Sequence, residues 1–288
     1  KSNHLFTKFY TKYVFGNTKN YYAISKNNSK VTLKNYIKFL KKNKLFFKNT
    51  NIPFNKNTTS NFFLTKEKKL NYLKFIKFVK KKLSKSKIKI YKNTKFQKKD
   101  LSKFDKVVVC TYSQNNNVLY NLGIKNLPKY RYELIEKILV KLPNKYLNKS
   151  FIVMDGKFAC IDPYLGTKYH LLSDVKYSKI EILKSRFPKF KSKMKNFINK
   201  EVDYEMTNSS FKKFIKNSSK YLPFLNNAKF VGSFKVVRTL SLNKKSRDYD
   251  ERLTYFKVHS NKILSILAGK WNTSVFVAKK IGFEIEKK

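Results

Sequence analysis

Glycine is scarce in this sequence, with seven residues in 288. They are Gly16, Gly123, Gly156, Gly166, Gly232, Gly269 and Gly282. The closest pair, Gly156 and Gly166, is ten residues apart. The chain therefore contains neither a Gly-x-Gly-x-x-Gly dinucleotide loop nor a Walker-type phosphate loop, since both need clustered glycines to bring the backbone close to an anion.

Acidic residues are also few, with 17 Asp and Glu against 66 Lys and Arg and a formal net charge of +49. The first acidic residue is Glu67, which follows 14 lysines. Carboxylates this sparse and dispersed offer no acid/base pair, so we nominate no catalytic residue. Such an excess of positive charge opposes compaction and predicts a polyanionic partner.

Cysteine and histidine are too rare to suggest a disulfide scaffold or a metal site. Cys110 and Cys160 lie in apolar stretches without metal-ligand spacing, so we expect buried thiols. His4, His170 and His259 are far apart, and a structural role is expected for His170. No apolar run approaches the roughly 18 residues of a membrane-spanning helix, so no transmembrane segment is predicted.

The residues that are present can build a core, because 41% are hydrophobic. The apolar spacing predicts a helix within residues 31–46, capped by Thr32, and a second amphipathic helix over Glu67–Leu83. We predict an alternating strand at Lys87–Tyr91 ("KIKIY") and a buried strand in Phe104–Tyr112 ("FDKVVVCTY"). The triplet Asn115–Asn117 is interpreted as a loop tip.

The second half of the chain reads mostly as strands and turns. Tyr132–Val140 fits a helix or a strand, and residues 180–222 have a helical, basic pattern. Asp155–Gly156 and Asp162–Pro163 are interpreted as turns between strands. A turn at Gly269 should precede a last helix, roughly Asn272–Lys280. The strands expected here are Phe151–Met154, Lys168–Val175, Phe234–Leu240, Leu253–Val258 and Lys262–Leu267.

Several blocks resemble, in order, the later blocks of FAD-dependent oxidoreductases of the D-amino-acid-oxidase-like superfamily. They include "FDKVVVCTYSQNNNVLYNLGI", "FIVMDGKFACIDPYLGTKYHLLSDVKY", "VGSFKVVRTLSLNKKSRDYDERLTYF" and "NKILSILAGKWNTSVFVAKKI". The resemblance implies an α/β to α+β fold: an incomplete FAD-oxidoreductase-like fold with a remnant nucleotide-binding layer and an antiparallel substrate-domain-like sheet. We expect residues 1–66 to form a basic N-terminal region and residues 67–288 the interleaved core.

The same resemblance implies where a flavin would lie if one were bound. Strand residues 107–113 would close the nucleotide-binding sheet, and the turn at residues 267–274 would lie near the flavin ring. The candidate residues are Thr111, Arg238, Gly269, Lys270 and Thr273. The family's Gly-rich turn and ribose-binding acid have no counterpart, so we expect the scaffold to hold no cofactor.

We therefore predict a non-catalytic, RNA-associated structural protein, most plausibly a subunit of a mitochondrial ribosome with ribosomal RNA and ribosomal proteins as partners. The AT-biased residue usage points to an organellar genome. The alternatives are an FAD-dependent oxidoreductase whose nucleotide-binding segment is missing or on another chain, and a cofactor-free assembly factor. The lysines expected to meet RNA are Lys41, Lys42, Lys44, Lys74, Lys77, Lys80, Lys81, Lys82, Lys189, Lys191, Lys193 and Lys195.

Overall fold

A computed structural model describes residues 2–10, 15–51, 53–154, 156, 158–242, 252 and 254–286. The described helices are α1 (Ser2–Phe9), α2 (Leu33–Lys42), α3 (Tyr72–Ser84), α4 (Asn115–Asn121), α5 (Phe211–Ser218) and α6 (Ser274–Glu286). The described strands are β1 (Phe15–Gly16), β2 (Lys19–Ser25), β3 (Phe47–Asn49), β4 (Thr59–Thr65), β5 (Lys69–Leu70), β6 (Val107–Val109), β7 (Tyr130–Lys141), β8 (Lys149–Met154), β9 (Ala159–Pro163), β10 (Tyr169–Asp174), β11 (Lys179–Ser185), β12 (Lys229–Ser241), β13 (Tyr255–Val258) and β14 (Ile263–Leu267).

The described strands form one large sheet and two small ones. The large sheet has the order β11-β7-β10-β9-β8-β2-β4-β3, with β12 paired to the other side of β7. All of its pairs are antiparallel except β2 with β8. A small sheet joins β14 to β6 in parallel and to β13 in antiparallel, and β1 pairs with β5. The predicted combination of an antiparallel sheet and a separate layer with parallel strands is confirmed.

Strand β7 resolves the choice between helix and strand at Tyr132–Val140 in favour of the strand. It pairs along its whole length with β12 and, on its other edge, with β10 and β11. Both its edges are therefore paired, and its side chains are buried on both faces, with Leu134 and Ile138 on one face and Glu133 and Leu139 on the other. A strand buried on both faces tolerates a continuous apolar run, which is why periodicity alone could not assign it.

The two predicted amphipathic helices are present. The α2 helix begins after Thr32, whose hydroxyl accepts a hydrogen bond from the Asn35 N–H at 3.3 Å. The α3 helix begins at Tyr72 rather than Glu67, because Asn71 is the cap and Lys69–Leu70 pair with β1. Phe75, Ile76 and Val79 are half-buried on its inner side.

One predicted strand and one predicted turn are wrong. Lys87–Tyr91 is not a strand: it pairs with no described residue and is exposed. Alternation favours a strand only where a neighbouring strand supplies hydrogen bonds. Asp162–Pro163 is no turn either, but the end of β9, because Asp162 accepts hydrogen bonds from Lys69 Nζ (2.8 Å) and Ser150 Oγ (2.6 Å). The chain reverses beyond it, at Leu165–Gly166, where Gly166 has a φ of +92°. Asp155 lies outside the described residues.

The helical prediction for residues 180–222 is largely wrong. The α5 helix is present, but the segment begins with β11 and continues through short 3₁₀ turns. The Glu181 carboxylate accepts hydrogen bonds from the N–H groups of Lys191 and Ser192 at 2.8 to 3.1 Å, which holds the chain in a turn. Phe190 and Met194 then pack against Tyr132 and other residues of the sheet. These tertiary contacts override the local periodicity.

The predicted burial of both cysteines is wrong for Cys110, which is exposed where the three-residue strand β6 ends. Cys160 is half-buried on β9. His170 is buried as expected, with Nε2 3.1 Å from the Tyr146 carbonyl oxygen. The later strands and the final helix lie close to their predicted positions, although Leu253 is outside the described residues.

Candidate functional site

The carboxyl ends of the parallel strands β6 and β14 meet at one edge of the small sheet. Open α/β sheets bind ligands beyond this end of their strands. The chain leaves β6 through Thr111 and Tyr112, and leaves β14 through Gly269 and Lys270. The structure thus places Thr111, Gly269, Lys270 and Thr273 at the same edge of the small sheet.

Asn115 forms hydrogen bonds that connect the ends of β6 and β14. Its Oδ1 atom accepts hydrogen bonds from the N–H (2.8 Å) and hydroxyl (3.0 Å) of Thr111, and its Nδ2 donates to the Ile266 carbonyl at 2.6 Å. Asn116 is also buried, and donates to the carbonyls of Pro128 and Arg186. The interpretation of this triplet as a loop tip is therefore wrong. The available signal was a run of three amide side chains six residues after the Val-Val-Val strand.

A cavity of about 530 Å³ opens beside this edge. Among the described residues, its lining includes three cationic residues, Lys68, Arg252 and Lys270, and no acidic residue. Aromatic side chains also contribute, namely Phe6, Phe15, Tyr112 and Trp271. A cavity with this lining favours an anion that carries an apolar or aromatic group.

The turn after β14 has little capacity left for a phosphate. The Thr254 hydroxyl oxygen accepts hydrogen bonds from the N–H groups of Gly269 (2.9 Å) and Lys270 (3.3 Å). Thr273 uses its own hydroxyl within the turn, where it lies 2.9 Å from Thr254 Oγ1. Phosphate-binding turns instead present unbonded backbone N–H groups to the ligand. Thr254 gave no signal in the sequence, because its partners are 15 to 19 residues away.

Helix α1 covers the other side of the turn with aromatic rings. Phe6 is 1% exposed and packs edge-on against Trp271, with ring centroids 4.8 Å apart. Phe75 of α3 lies 6.1 Å from the same indole. Phe6 and Trp271 line the cavity beside the turn, and the sequence gave no indication that α1 would reach it.

Arg238 forms an ion pair with Glu133 inside the large sheet. It lies opposite Glu133 in the β12–β7 pairing, and its Nε donates to the Glu133 carboxylate at 2.8 Å. Arg131 lies 3.1 Å from the other oxygen of this carboxylate, which is 1% exposed. Arg238 is also absent from the cavity lining. Its charge is therefore compensated inside the sheet rather than presented to an anionic substrate.

Among the residues that the structure describes, the remaining titratable groups do not assemble a reactive centre. Burial, assisted by Asp162, raises the pKa of the Cys160 thiol and keeps it protonated. Within the described residues, no three His, Cys, Asp or Glu side chains come together as a metal site. In that same part of the chain, no helix is both long and apolar enough to cross a membrane.

The twelve lysines expected to meet RNA are all exposed. They lie at the end of α2, along α3 and in the segment after β11. None of them forms an ion pair with any residue that the structure describes. Their charge is therefore directed to solvent and not consumed by folding.

No family model and no curated protein matches this sequence. Solved structures do match the fold. The L-α-glycerophosphate oxidase of Mycoplasma pneumoniae, with FAD bound, superposes with a TM-score of 0.64 at 13% identity over 100% of this chain and 78% of its own. Glycine oxidase from Geobacillus kaustophilus superposes with a TM-score of 0.62 at 10% identity, over 99% of this chain and 76% of its own. L-proline dehydrogenase from P. horikoshii superposes with a TM-score of 0.61 at 13% identity, over 98% of this chain and 75% of its own.

The chain therefore has the fold of FAD-dependent oxidoreductases of the D-amino-acid-oxidase-like superfamily. At these identities the likeness establishes architecture alone. The described residues of the Gly269 turn offer few backbone N–H groups to a flavin phosphate, since those of Gly269 and Lys270 are bonded to Thr254.

Proposed function

We propose that this protein is an RNA-associated structural protein that uses a flavoenzyme fold as a scaffold, and that it is a subunit of a mitochondrial ribosome. The observation that carries the proposal is a set of exposed lysines that have no carboxylate partner among the described residues, on a chain of net charge +49. Lysines in this state release counterions when they meet phosphates, whatever the base sequence. In this proposal, the protein binds ribosomal RNA and neighbouring ribosomal proteins.

The engagement of the two candidate ligand groups supports a non-catalytic role. Arg238 is paired with Glu133, and the Gly269 turn is closed by Thr254. The resemblance would place the Gly269 turn near the flavin ring and Arg238 on the substrate side. Here the corresponding residues make internal contacts that stabilise the scaffold.

The first experiment is fractionation of native ribosomes at rising salt, followed by crosslinking to map neighbours. We expect the protein to sediment with a ribosomal subunit and to crosslink to RNA through lysine-rich segments. Sedimentation alone at low salt would contradict the proposal. Lysine faces that meet lipid or protein instead would favour an assembly factor.

A second experiment measures affinity for RNA with purified protein. If about six lysines neutralise phosphates, affinity should fall on the order of a thousandfold between 50 and 200 mM salt, with little sequence preference. Single Lys→Ala changes on α3 should weaken binding slightly. Joint replacement of Lys74, Lys77, Lys80, Lys81 and Lys82 by Gln should weaken it much more and flatten the salt dependence.

The cavity beside the β6–β14 edge favours one alternative, an FAD-dependent oxidoreductase whose nucleotide-binding segment is missing or on another chain. Its volume of about 530 Å³ and its three cationic residues suit an aromatic anion. Absorbance spectra of the native protein test this directly. Flavin at a stoichiometric level would replace the structural proposal with the enzymatic one.

A further inference from the structure

The most solvent-exposed segment in the described part of the chain follows α3. All eleven residues from 85 to 95 are exposed, and we call this segment the exposed arm. Its hydrogen bonds in the structure are local, such as those from the Ile88 N–H to Ser86 Oγ and from the Thr94 hydroxyl to the Lys92 carbonyl. No described strand pairs with it.

Both ends of the exposed arm are anchored. At its start, the Ser86 N–H and hydroxyl donate to the Leu83 carbonyl at the end of α3. Just beyond its end, Phe96 packs in a cluster with Leu119 and Leu122, and its ring lies 5.8 Å from Phe104. The arm is thus held at fixed points on the protein while its middle stays uncovered.

The composition of the arm is unusual for a solvated loop. It carries five lysines and no acid, and its apolar side chains are turned outward: Ile88 is 62% exposed, Ile90 54% and Tyr91 72%. Exposed Ile and Tyr forgo the free energy that burial would supply. A partner that removes them from water while neutralising the lysines would recover it.

We propose that the exposed arm enters unpaired RNA, with its lysines on phosphates and Tyr91 stacked on a base. This inference rests on the proposed function and names the segment and the form of RNA. Alternate residues of an extended chain lie roughly 6.6–7 Å apart, a spacing comparable to that of phosphates along a single strand. Aromatic stacking and apolar contact require bases that are not already stacked in a duplex. Ile88 and Ile90 lie against such bases and their sugars.

The test compares two arm variants with a charge-matched control. In the first, Lys85, Lys87, Lys89, Lys92 and Lys95 become Gln. In the second, Ile88, Ile90 and Tyr91 become Ser. In the control, exposed lysines away from the arm become Gln, namely Lys26, Lys125, Lys129, Lys168 and Lys220. All these positions are exposed, so equal thermal melting verifies that each variant folds.

Binding is measured by fluorescence anisotropy to an unstructured RNA of about 30 nucleotides and to its duplex. The lysine variant should bind the single strand at least about tenfold more weakly, with a salt slope reduced by about 3.5, and the control should change about threefold or less. The Ile/Tyr variant should lose about fivefold to tenfold on the single strand, and little on the duplex.

The outcomes separate the inference from the proposed function. If the parent binds RNA and both arm variants bind equally well, the arm inference fails and the proposed function stands. If the parent binds no RNA, both fail. If the arm variants lose binding to phosphatidylserine-containing vesicles but not to RNA, the arm contacts an anionic membrane and the inference is overturned.

Discussion

Lys235 and Asp203 form an ion pair inside the protein, with 2.8 Å between Nζ and the carboxylate oxygen and side-chain exposures of 0% and 8%. Ser233 lies 2.6 Å from the same ammonium group, and Glu136 3.9 Å. The pair attaches the segment around Asp203 to β12 of the large sheet. Burial alone would raise the pKa of Asp203, but Lys235 and neighbouring hydrogen bonds outweigh it and lower the pKa.

Replacing Lys235 with Met should destabilise the protein by about 3–5 kcal/mol, because Asp203 and Glu136 would then be buried without a cation. Urea denaturation checks the value. Lys229→Met on the same strand is the matched control, since Lys229 is exposed, and it should leave the free energy of unfolding nearly unchanged. A small effect at Lys235 would mean that the carboxylates reach water in solution.

Thr254→Val should cost about 1–2 kcal/mol, because the N–H groups of Gly269 and Lys270 would lose their acceptor. The same variant should increase hydrogen exchange at these two amides. Thr94→Val serves as the control, as its hydroxyl bonds only to the Lys92 carbonyl in an exposed segment. Unchanged exchange in Thr254→Val would show that the turn does not depend on this hydroxyl.

Asn115→Ala should destabilise the protein by about 2 kcal/mol, because one side chain satisfies Thr111 and the Ile266 carbonyl across the strand ends. Chemical denaturation measures it. Asn121→Ala, at an exposed position at the end of α4, should be close to neutral. Equal effects at the two positions would contradict the bridging role of Asn115.

His170 should make stability fall as the solution becomes acidic. Burial lowers its pKa and outweighs contacts with the backbone of Tyr146 and Lys149, so the folded state favours the neutral ring. The unfolded chain takes up a proton below about pH 6.5, hence the free energy of unfolding decreases from there towards the folded pKa.

Urea denaturation at about pH 7.5 and pH 5.5 measures this dependence in the parent and in His170→Gln. The variant should show a weaker decrease. His259→Gln is the comparison, since burial also lowers the pKa of that half-buried ring. A parent whose stability is the same at both pH values would contradict the prediction.

Local chemistry predicted the elements whose causes are local. Thr32 caps α2, the Val-Val-Val run forms β6, and the Gly269 turn leads into the last helix. The segment Lys87–Tyr91 had the right alternation for a strand, but pairing depends on a neighbour that no local pattern specifies. The Asp-Pro pair predicted a turn at Asp162. The actual partner of Asp162 is Lys69, which lies 93 positions away and which no local pattern indicates.

The candidate site was predictable in outline only. The resemblance named Thr111 and Gly269 as candidate flavin residues, and both follow strands that run in parallel and end at the same edge. It did not reveal that Glu133 holds Arg238, or that Phe6 packs on Trp271. These contacts join residues more than a hundred positions apart, and their buried polar or aromatic groups have no periodic signature.

The parallel pairing of β2 with β8 has a consequence for synthesis. Lys19 pairs with Lys149, which follows 130 residues later in the chain, and β6 likewise pairs with the much later strand β14. Such distant contacts slow folding, because closing the long intervening loop costs conformational entropy before the contacts stabilise it. A ribosome making this protein therefore leaves the edge of β2 that faces β8 unpaired while the chain between Lys19 and Lys149 emerges.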